Sequence, residues 1–266
     1  MTATRLGVLG WPVAHSRSPQ MQNAALVAAG LEEWRFQLLP VPPELFDETT
    51  RALPAAGFAG ASVTVPHKEA ALGLADRASD SAREIGAANT LTFSGDGEIA
   101  AENTDAPGFL RALGAAPAAG STALVLGAGG SSRAVTWALR ESGAQVRVWN
   151  RNPGRARALA GDLGVEAVAE PGPADLLVNC TVAGMEGDPF DDLPLAPADL
   201  GDYPTVVDLV YTDDEGRLLR AAREAGARTV DGLGILVAQG AIAFELWTGR
   251  EADVPAMAAA ARAAAA

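Results

Sequence analysis

Lys68 stands out among the side chains that could carry chemistry. Of the 20 lysines and arginines in the 266-residue chain, it is the one lysine. It follows the alternating stretch 62–65 and the pair Pro66-His67. An amine can donate a proton and regain one, whereas a guanidinium group stays protonated and can only stabilise charge. The retained lysine therefore indicates acid–base chemistry at this position.

Hydroxyl, amide and carboxylate side chains follow other predicted elements in the first half of the chain. Ser16 and Ser18 follow the first strand, Thr64 lies near the end of another, and Asn89 and Asp105 lie at the ends of two more elements. Open α/β sheets bind ligands at the carboxyl ends of their strands. These side chains therefore predict a site for a small polyol acid. Ser18 also precedes a proline at a predicted helix start, so an N-cap role would explain that residue equally well.

A glycine-rich turn opens the second half of the chain. Gly127, Gly129 and Gly130 follow the apolar stretch ALVL and precede a helical pattern, a context typical of dinucleotide-binding turns. The first glycine permits a tight turn, and the helix N-terminus offers free N–H groups to a pyrophosphate. Ala134 stands one residue beyond the usual third-glycine position. An ordinary strand–helix connection without a ligand is the alternative interpretation.

The strand after this turn indicates which dinucleotide binds. It ends at Asn150, and no carboxylate stands where an NAD site would hold the ribose hydroxyls. Arg151 stands there instead, and Arg155 follows one helical turn later. Two guanidinium groups suit the 2′-phosphate of NADP. Solvated arginines at a helix start are the alternative.

Strand and helix patterns alternate along the whole chain, which predicts an α/β protein whose first sheet is mixed. Predicted strands occupy 5–10, 34–40, 58–65, 87–93, 98–103, 174–181 and 205–211, and a strand–turn–helix–strand unit occupies 122–151. Predicted helices occupy 19–30, 42–53, 234–247 and 254–265. The small, flexible segment 113–121 marks a domain boundary.

Composition restricts the class of protein. A net charge of −13 argues against nucleic acid or an anionic membrane as partner. The single cysteine, Cys180, excludes an intramolecular disulfide and fits a reducing compartment, and we expect it to be buried in its strand. No apolar stretch is long enough to span a membrane, so we expect a cytoplasmic protein. His15 and His67 are the only histidines and lack a nearby ligand cluster, so we expect no metal site.

Eight blocks of the sequence resemble, in order, the shikimate dehydrogenase family. They are GWPVAHSRSP, VTVPHK, GAANT, NTD followed by Gly108, GAGGSSRA, NRN with Arg155, NCTVAGM and DGLGILVAQGAIAFELWTG. The resemblance implies NADP-dependent reduction of 3-dehydroshikimate to shikimate, in the biosynthesis of chorismate and aromatic amino acids. It also implies a mixed-sheet substrate domain over 1–113, a Rossmann-type NADP-binding domain over 114–233, and C-terminal helices over 234–266 that return to the first domain.

The resemblance implies roles for individual residues of the substrate site. Ser16 and Ser18 would hold the substrate carboxylate, and Lys68 and Asp105 would be the catalytic pair. The remaining substrate-binding positions would be Thr64, Asn89, Tyr211 and Gln239.

On the cofactor side, the glycine turn would bind the pyrophosphate. Asn150, Arg151 and Arg155 match the family's clamp on the adenosine phosphate. Met185 and Gly232 fall at positions that line the nicotinamide side.

Two positions depart from the family pattern, and three alternatives remain open. Ser62 replaces a usual asparagine, and Gly216-Arg217 replaces a usual Thr-Pro; both concern fine substrate preference. A sister enzyme acting on quinate or aminoshikimate is the nearest alternative. A non-catalytic sensor of NADP or shikimate and a folate-linked dehydrogenase are weaker ones. Monomers and homodimers both occur in the family, and we expect one or the other.

Overall fold

Two six-stranded sheets organise the part of the chain that the structure, a computed structural model, describes: residues 4–115, 117–212 and 215–264. Two compact units contain them. Unit 1 runs to Gly108 and resumes at Leu236, and unit 2 is Phe109–Ile235. The assignment of substrate to 1–113 with 234–266, and of cofactor to 114–233, remains a prediction.

Unit 1 contains a mixed sheet. Its strands are β1 (Thr4–Gly10), β2 (Trp34–Pro40), β3 (Phe58–Val63), β4 (Arg77–Ala78), β5 (Thr90–Phe93) and β6 (Ile99–Glu102), in the order β2-β1-β3-β5-β6-β4. β5 pairs antiparallel with both β3 and β6, and the other pairs are parallel. The predicted mixed sheet is therefore confirmed, and the antiparallel strands β5 and β6 form a hairpin.

Short helices connect these strands. They are α1 (Ser18–Ala28), α2 (Phe46–Ala52), α3 (Lys68–Leu74) and α4 (Asp80–Ile85), and α5 (Asp105–Leu113) follows β6. The predicted helix 42–53 differs at its start, where Pro43–Leu45 form a 3-10 turn before α2. Pro43 is the first residue of this turn, where a proline costs no hydrogen bond because the first N–H groups of a helix have no internal acceptor.

Unit 2 is a doubly wound parallel sheet. Its strands are β7 (Thr122–Leu126), β8 (Gln145–Trp149), β9 (Glu166–Ala167), β10 (Leu176–Asn179), β11 (Thr205–Asp208) and β12 (Arg228–Val230). Its helices are α6 (Gly130–Glu141), α7 (Pro153–Leu163), α8 (Pro189–Asp192) and α9 (Arg217–Glu224). The strand order β12-β11-β10-β7-β8-β9 is the Rossmann order, with the switch point between β7 and β10.

The C-terminal helices belong to the core of unit 1. α10 (Gly232–Thr248) and α11 (Val254–Ala263) end the described chain, and α11 packs on α1. Trp247 of α10 donates its indole N–H to the carbonyl of Leu91, 2.9 Å away. It also covers Gly60, where a Cβ would lie 2.3 Å from the indole nitrogen. A glycine in β3 therefore allows the helix to pack closely on the sheet. The α/β fold class, with its helices returning to the first unit, is confirmed.

Several strand ends differ from the sequence-based expectation; β5, for example, begins at Thr90 rather than at residue 87. β3 ends at Val63 rather than 65 because the carbonyl of Thr64 accepts a turn hydrogen bond from His67. β11 ends at Asp208 rather than 211, since the N–H of Val210 donates to the Asp208 carboxyl group instead of a neighbouring strand. Cys180 follows the end of β10 and is half-buried rather than buried. Among the described residues, no helix is long and apolar enough to cross a membrane.

Candidate active site

Lys68 and Asp105 form an ion pair in unit 1. Lys68 Nζ lies 2.5 Å from Asp105 Oδ2, and the two side chains are 10% and 15% exposed. Lys68 is the first residue of α3 and Asp105 is the first residue of α5, so each side chain projects from the start of a helix. An amine and a carboxylate in contact form a pair that can hold and transfer a proton. The sequence placed both residues in the catalytic pair, and the structure brings them together.

Asn89 connects this pair to the C-terminal helix. Its Nδ2 lies 2.8 Å from Asp105 Oδ1 and 3.2 Å from Gln239 Oε1. The orientation of the amide is fixed, because its Oδ1 accepts the backbone N–H of Thr104 at 2.7 Å. Gln239 is oriented in turn by its own Nε2, which donates to the carbonyl of Leu236 at 2.7 Å. The predicted residues Lys68, Asn89, Asp105 and Gln239 thus form one hydrogen-bonded network.

A glycine contact makes this network possible. A Cβ on Gly108 would lie 2.6 Å from Gln239 Cβ and 2.7 Å from its Cα and backbone nitrogen. α5 therefore touches α10 backbone to backbone at this point. Because Asp105 lies one turn before Gly108 on α5, the contact fixes the spacing between the Asp105 carboxylate and the Gln239 amide.

Thr104 belongs to the network, although the sequence-based set of site residues omitted it. Its Oγ1 lies 3.0 Å from Asn89 Nδ2 and 3.1 Å from Thr90 Oγ1, and the threonine is 2% exposed. Asn103, its neighbour, acts on the backbone: its Oδ1 accepts from Ala106 N and its Nδ2 donates to Ala87 O. The run Asn-Thr-Asp carried the signal, because three adjacent polar residues in a strand–helix connection are rarely all solvated.

Ser16 lies in the connection between β1 and α1, Ser18 begins α1, and both are buried, at 8% and 4% exposed. The backbone N–H of Ser18 donates to Ser16 Oγ at 3.3 Å, so the two serines share a tight turn. Ser18 is the first residue of α1 rather than its N-cap, and Arg17, which is the N-cap, makes no side-chain cap bond. The interpretation of Ser18 as a helix cap is therefore wrong.

Thr64 lies at the same edge of the sheet as this serine turn. Its backbone N–H donates to the carbonyl of Leu9 at 2.8 Å, and Val65 accepts from Trp11 at 3.0 Å. Gly10 has no room for a side chain, because a Cβ would lie 2.4 Å from Thr64 Cγ2. Backbone hydrogen bonds thus join the carboxyl ends of β1 and β3 at Thr64, one of the predicted substrate-binding residues.

The glycine turn of unit 2 connects β7 to α6. Gly127 has φ +113°, and a Cβ there would lie 2.8 Å from Ser132 Oγ and 3.1 Å from the Cys180 carbonyl oxygen. Gly129 differs, since its φ is −106° and a Cβ would meet no atom within 4 Å. The protein's own packing therefore does not require a glycine at position 129. Ala134 is fully buried, which fits close packing of α6 on the sheet.

The three residues predicted to clamp the adenosine phosphate follow β8. Asn150 Nδ2 donates to the carbonyl of Asn152 at 3.0 Å, and Asn152 caps α7 by accepting from Gly154 N at 2.9 Å. Arg151 is 82% exposed in its side chain and pairs with Asp192 of α8 at 3.1 Å. Arg155, in the first turn of α7, is also exposed. Both guanidinium groups are therefore accessible to an anion.

A buried carboxyl–amide pair fixes the loops after β10 and β11. Asp208 is 3% exposed, and its Oδ1 accepts from Asn179 Nδ2 at 2.9 Å and from Val210 N at 3.1 Å. Asn179 Oδ1 accepts in turn from the N–H and hydroxyl of Thr181, at 3.0 and 2.7 Å. Burial raises the pKa of Asp208 to about 7, because the charged form loses its hydration, while its two hydrogen bonds act in the opposite direction. Sequence reasoning missed this pair, because Asp208 lies within an apolar stretch.

The other predicted residues of unit 2 lie on these loops or near them. Met185 is 42% exposed in the loop after β10. Tyr211 follows β11, is half-buried and lines a cleft of about 460 Å³ together with Arg223 and Leu233. Gly232 begins α10, and a Cβ there would lie 2.3 Å from the carbonyl oxygen of Leu209, so only glycine fits.

Among the residues that the structure describes, no group of three His, Cys, Asp or Glu side chains is arranged to hold a metal ion. A Rossmann unit with an open glycine turn, combined with an α/β unit holding a buried amine–carboxylate pair, has the parts of a dinucleotide-dependent dehydrogenase.

Comparison with known proteins identifies the family. Residues 8–91 match the model of the shikimate dehydrogenase substrate binding domain, and residues 232–262 match that of the shikimate 5'-dehydrogenase C-terminal domain. The chain is 47% identical to shikimate dehydrogenase (NADP(+)) of Methylobacterium radiotolerans, over 92% of this chain and 91% of the relative. It therefore belongs to the shikimate dehydrogenase family.

Solved structures support the same assignment. Shikimate 5-dehydrogenase from Thermus thermophilus, in complex with NADP(H) and shikimate, aligns with a TM-score of 0.87 and 44% identity, covering 98% of this chain and 99% of that one. Quinate dehydrogenase from Corynebacterium glutamicum, in complex with NAD, aligns with a TM-score of 0.84 and 31% identity, covering 97% and 98%. The resemblance drawn from the sequence motifs is confirmed.

Proposed function

We propose that this chain catalyses the reversible, NADP-dependent reduction of 3-dehydroshikimate to shikimate. The observation that carries the proposal is the Lys68–Asp105 pair joined to Asn89 and Gln239 in one network, in a chain whose relatives are named shikimate dehydrogenase (NADP(+)). This reaction is a step in the biosynthesis of chorismate and aromatic amino acids. The comparisons support shikimate over quinate, the nearest alternative, since the sequence identity is higher to the shikimate enzymes.

Lys68 acts as the acid and base in this mechanism. Reduction of a ketone places negative charge on its oxygen, which the Lys68 ammonium group stabilises and protonates. In the reverse direction the neutral amine takes the proton from the substrate hydroxyl. Asp105 holds Nζ in place and accepts a hydrogen bond from a second substrate hydroxyl. Asn89 keeps the Asp105 carboxylate in its orientation.

The other substrate contacts set the orientation of the ring. Ser16 and Ser18 hold the substrate carboxylate through their hydroxyls and through the backbone of the turn they share. Thr64 and Gln239 bind ring hydroxyls, and Tyr211 is the remaining proposed substrate-binding residue. A buried set of hydroxyls and amides rejects analogues that lack the matching groups, because its own polar atoms would then be unpaired.

The residues of unit 2 fit NADP. NADP supplies or accepts the hydride when it is bound. The start of α6 and the open space at Gly129 would hold the pyrophosphate, and Gly127 and Gly130 shape that turn. Asn150, Arg151 and Arg155 would bind the adenosine ribose and its 2′-phosphate. Met185 and Gly232 would line the nicotinamide side.

A four-way kinetic comparison tests the proposal. Oxidation of shikimate and of quinate is measured with NADP and with NAD, by absorbance of the reduced cofactor. We expect the highest kcat/KM for shikimate with NADP. Faster oxidation of quinate with NAD would overturn the assignment, and substrate binding without turnover would favour a sensor.

We further propose that the enzyme works in the cytoplasm as a monomer or homodimer, with small molecules as its partners. The net charge of −13 supports the exclusion of nucleic acid and anionic membranes. Light scattering coupled to size exclusion gives the oligomeric state directly, and a larger assembly would contradict this part.

A further inference from the structure

His67, which precedes Lys68, is buried outside the polar network. Its side chain is 2% exposed, and its ring stacks on Phe46 with centroids 4.3 Å apart and planes 12° apart. Its Nε2 lies 2.7 Å from the carbonyl oxygen of Val41. A carbonyl only accepts hydrogen bonds, so Nε2 carries the hydrogen. Burial lowers the pKa of His67, which keeps the ring neutral near pH 7.

Val41 and Phe46, which contact the His67 ring, are themselves held in the core of unit 1. The N–H of Val41 donates to the carbonyl of Gly10 at 3.1 Å, which ties the segment after β2 to the end of β1. Phe46 is 1% exposed and belongs to the hydrophobic core beneath the sheet. The imidazole ring therefore fastens the start of α3 to β1, β2 and α2.

Backbone hydrogen bonds also hold the segment around Lys68. α3 has seven residues and no side-chain cap at its N-terminus. The N–H of His67 donates to Thr64 O at 2.9 Å, and the carbonyl of Lys68 accepts from Ala88 N at 2.8 Å. The His67 ring thus provides the side-chain anchor on the N-terminal side of Lys68, and Ala88 holds the C-terminal side.

We propose that His67 is a positioning residue for Lys68. Its stacked and hydrogen-bonded ring fixes the backbone from which the lysine reaches Asp105, and so sets where the amine meets the reacting oxygen. The inference rests on the proposed acid–base role of Lys68. A misplacement of about 1 Å at a reacting group can lower a rate by about 10²-fold.

Two substitutions of His67 distinguish the effect of the stack on Phe46 from that of the hydrogen bond to Val41. His67→Phe retains a ring that can stack on Phe46 but loses the bond to Val41, and His67→Ala loses both. We expect kcat to fall about 10-fold in His67→Phe and further in His67→Ala, while KM for shikimate and for NADP changes less than about twofold. The midpoint of the kcat–pH profile should also move, because the Lys68–Asp105 contact becomes looser.

Two control variants make the result decisive. Leu53→Ala removes a side chain from the same core cluster as Phe46, so it should lower the melting temperature without changing kcat or the pH midpoint. Lys68→Ala should abolish turnover. If kcat and the pH midpoint of both His67 variants equal those of the wild type while Lys68→Ala is inactive, His67 has no positioning role. The same conclusion follows if their loss of kcat matches that of Leu53→Ala at equal loss of stability. An active Lys68→Ala enzyme would overturn the proposed mechanism itself.

Discussion

The proposed acid–base chemistry depends on the contact between the Lys68 amine and the Asp105 carboxylate. With the side chains 10% and 15% exposed and the charged atoms 2.5 Å apart, the pair has little freedom to exchange partners with water. An arginine at position 68 could keep the attraction to Asp105. It could not deliver a proton, since the guanidinium group does not deprotonate in proteins.

We therefore expect Lys68→Arg to lower kcat by about 10²-fold or more, with a smaller effect on stability. Steady-state oxidation of shikimate, together with thermal unfolding, measures both quantities. An arginine enzyme with near-wild-type turnover would show that charge, and not proton transfer, is what position 68 supplies.

Asp208 makes the stability of the protein depend on pH. Its pKa is about 7 in the folded protein and near 3.8 when it is solvated, so between these values the folded state holds a proton that the unfolded state has released. This contribution to stability is fully present below about pH 4 and is lost as the pH rises through about 7. Its slope reaches at most about 1.4 kcal/mol per pH unit.

Asp208→Asn tests this dependence. Asparagine mimics the protonated acid, since its Oδ1 can accept from Asn179 and Val210 and it carries no charge. The free energy of unfolding of the variant, relative to the wild type, should rise from pH 4 to pH 8 in urea titrations. Asp191→Asn, at an exposed position on α8, is the control. Equal pH profiles for wild type and Asp208→Asn would contradict the assignment.

At the scale of elements, the contact between α5 and α10 holds the site together. Gly108→Ala would place a Cβ within 2.7 Å of backbone atoms of Gln239, and backbone cannot move aside as a flexible side chain can. The two helices must then separate, which displaces Asp105 and Gln239 relative to each other.

We expect Gly108→Ala to destabilise the fold by about 1–3 kcal/mol and to lower kcat/KM for shikimate. Gly73→Ala is the matched control: Gly73 lies within α3, and a Cβ there meets no atom within 4 Å. That variant should be neutral or stabilised by up to about 1 kcal/mol. Denaturant unfolding and kinetics of both variants decide the matter, and an unaffected Gly108→Ala would mean that the helices adjust freely.

The elements with a clear pattern of apolar residues could be predicted from the sequence, and the short or irregular ones could not. The buried strands β7 and β10 can be recognised in the sequence by their apolar runs. Two-residue strands such as β4 (Arg77–Ala78) carry no periodic signal, since neighbouring strands rather than local sequence define them. α3 is too short for a helical period to show.

The same contrast holds for the site. Of the predicted residues of unit 1, Lys68, Asn89, Asp105 and Gln239 form one hydrogen-bonded network. Thr104 and the anchor role of His67 required coordinates. Neither the stack on Phe46 nor the hydrogen bond to Val41 joins residues that are adjacent in sequence.

At the scale of the whole molecule, an acidic protein must hold a polyanionic cofactor with a few local cations. Arg151 shares its charge with Asp192, but an ion pair whose side chains are 82% and 55% exposed contributes little stability and gives way to a phosphate. The discrimination between NADP and NAD should therefore depend on Arg151 and Arg155.

We expect the double variant Arg151→Ala/Arg155→Ala to raise KM for NADP by about 10-fold or more while KM for NAD changes little. Shikimate oxidation with each cofactor measures this. The matched control is Arg157→Ala, an arginine that is also exposed on α7 but lies outside the predicted clamp. A parallel rise of KM for both cofactors would place the 2′-phosphate elsewhere.

Because Lys68 is the single lysine of the sequence, labelling of amines can report on the substrate site. An acylating reagent that is selective for primary amines has two targets in the chain: the ε-amine of Lys68 and the α-amine of the N-terminus. Intact-mass spectrometry of the acylated protein would therefore count modified sites on a scale from zero to two, and inactivation would follow one of them. Shikimate present during the reaction should protect that site alone, so occupancy of the substrate site could be followed without an engineered tag or a spectroscopic label.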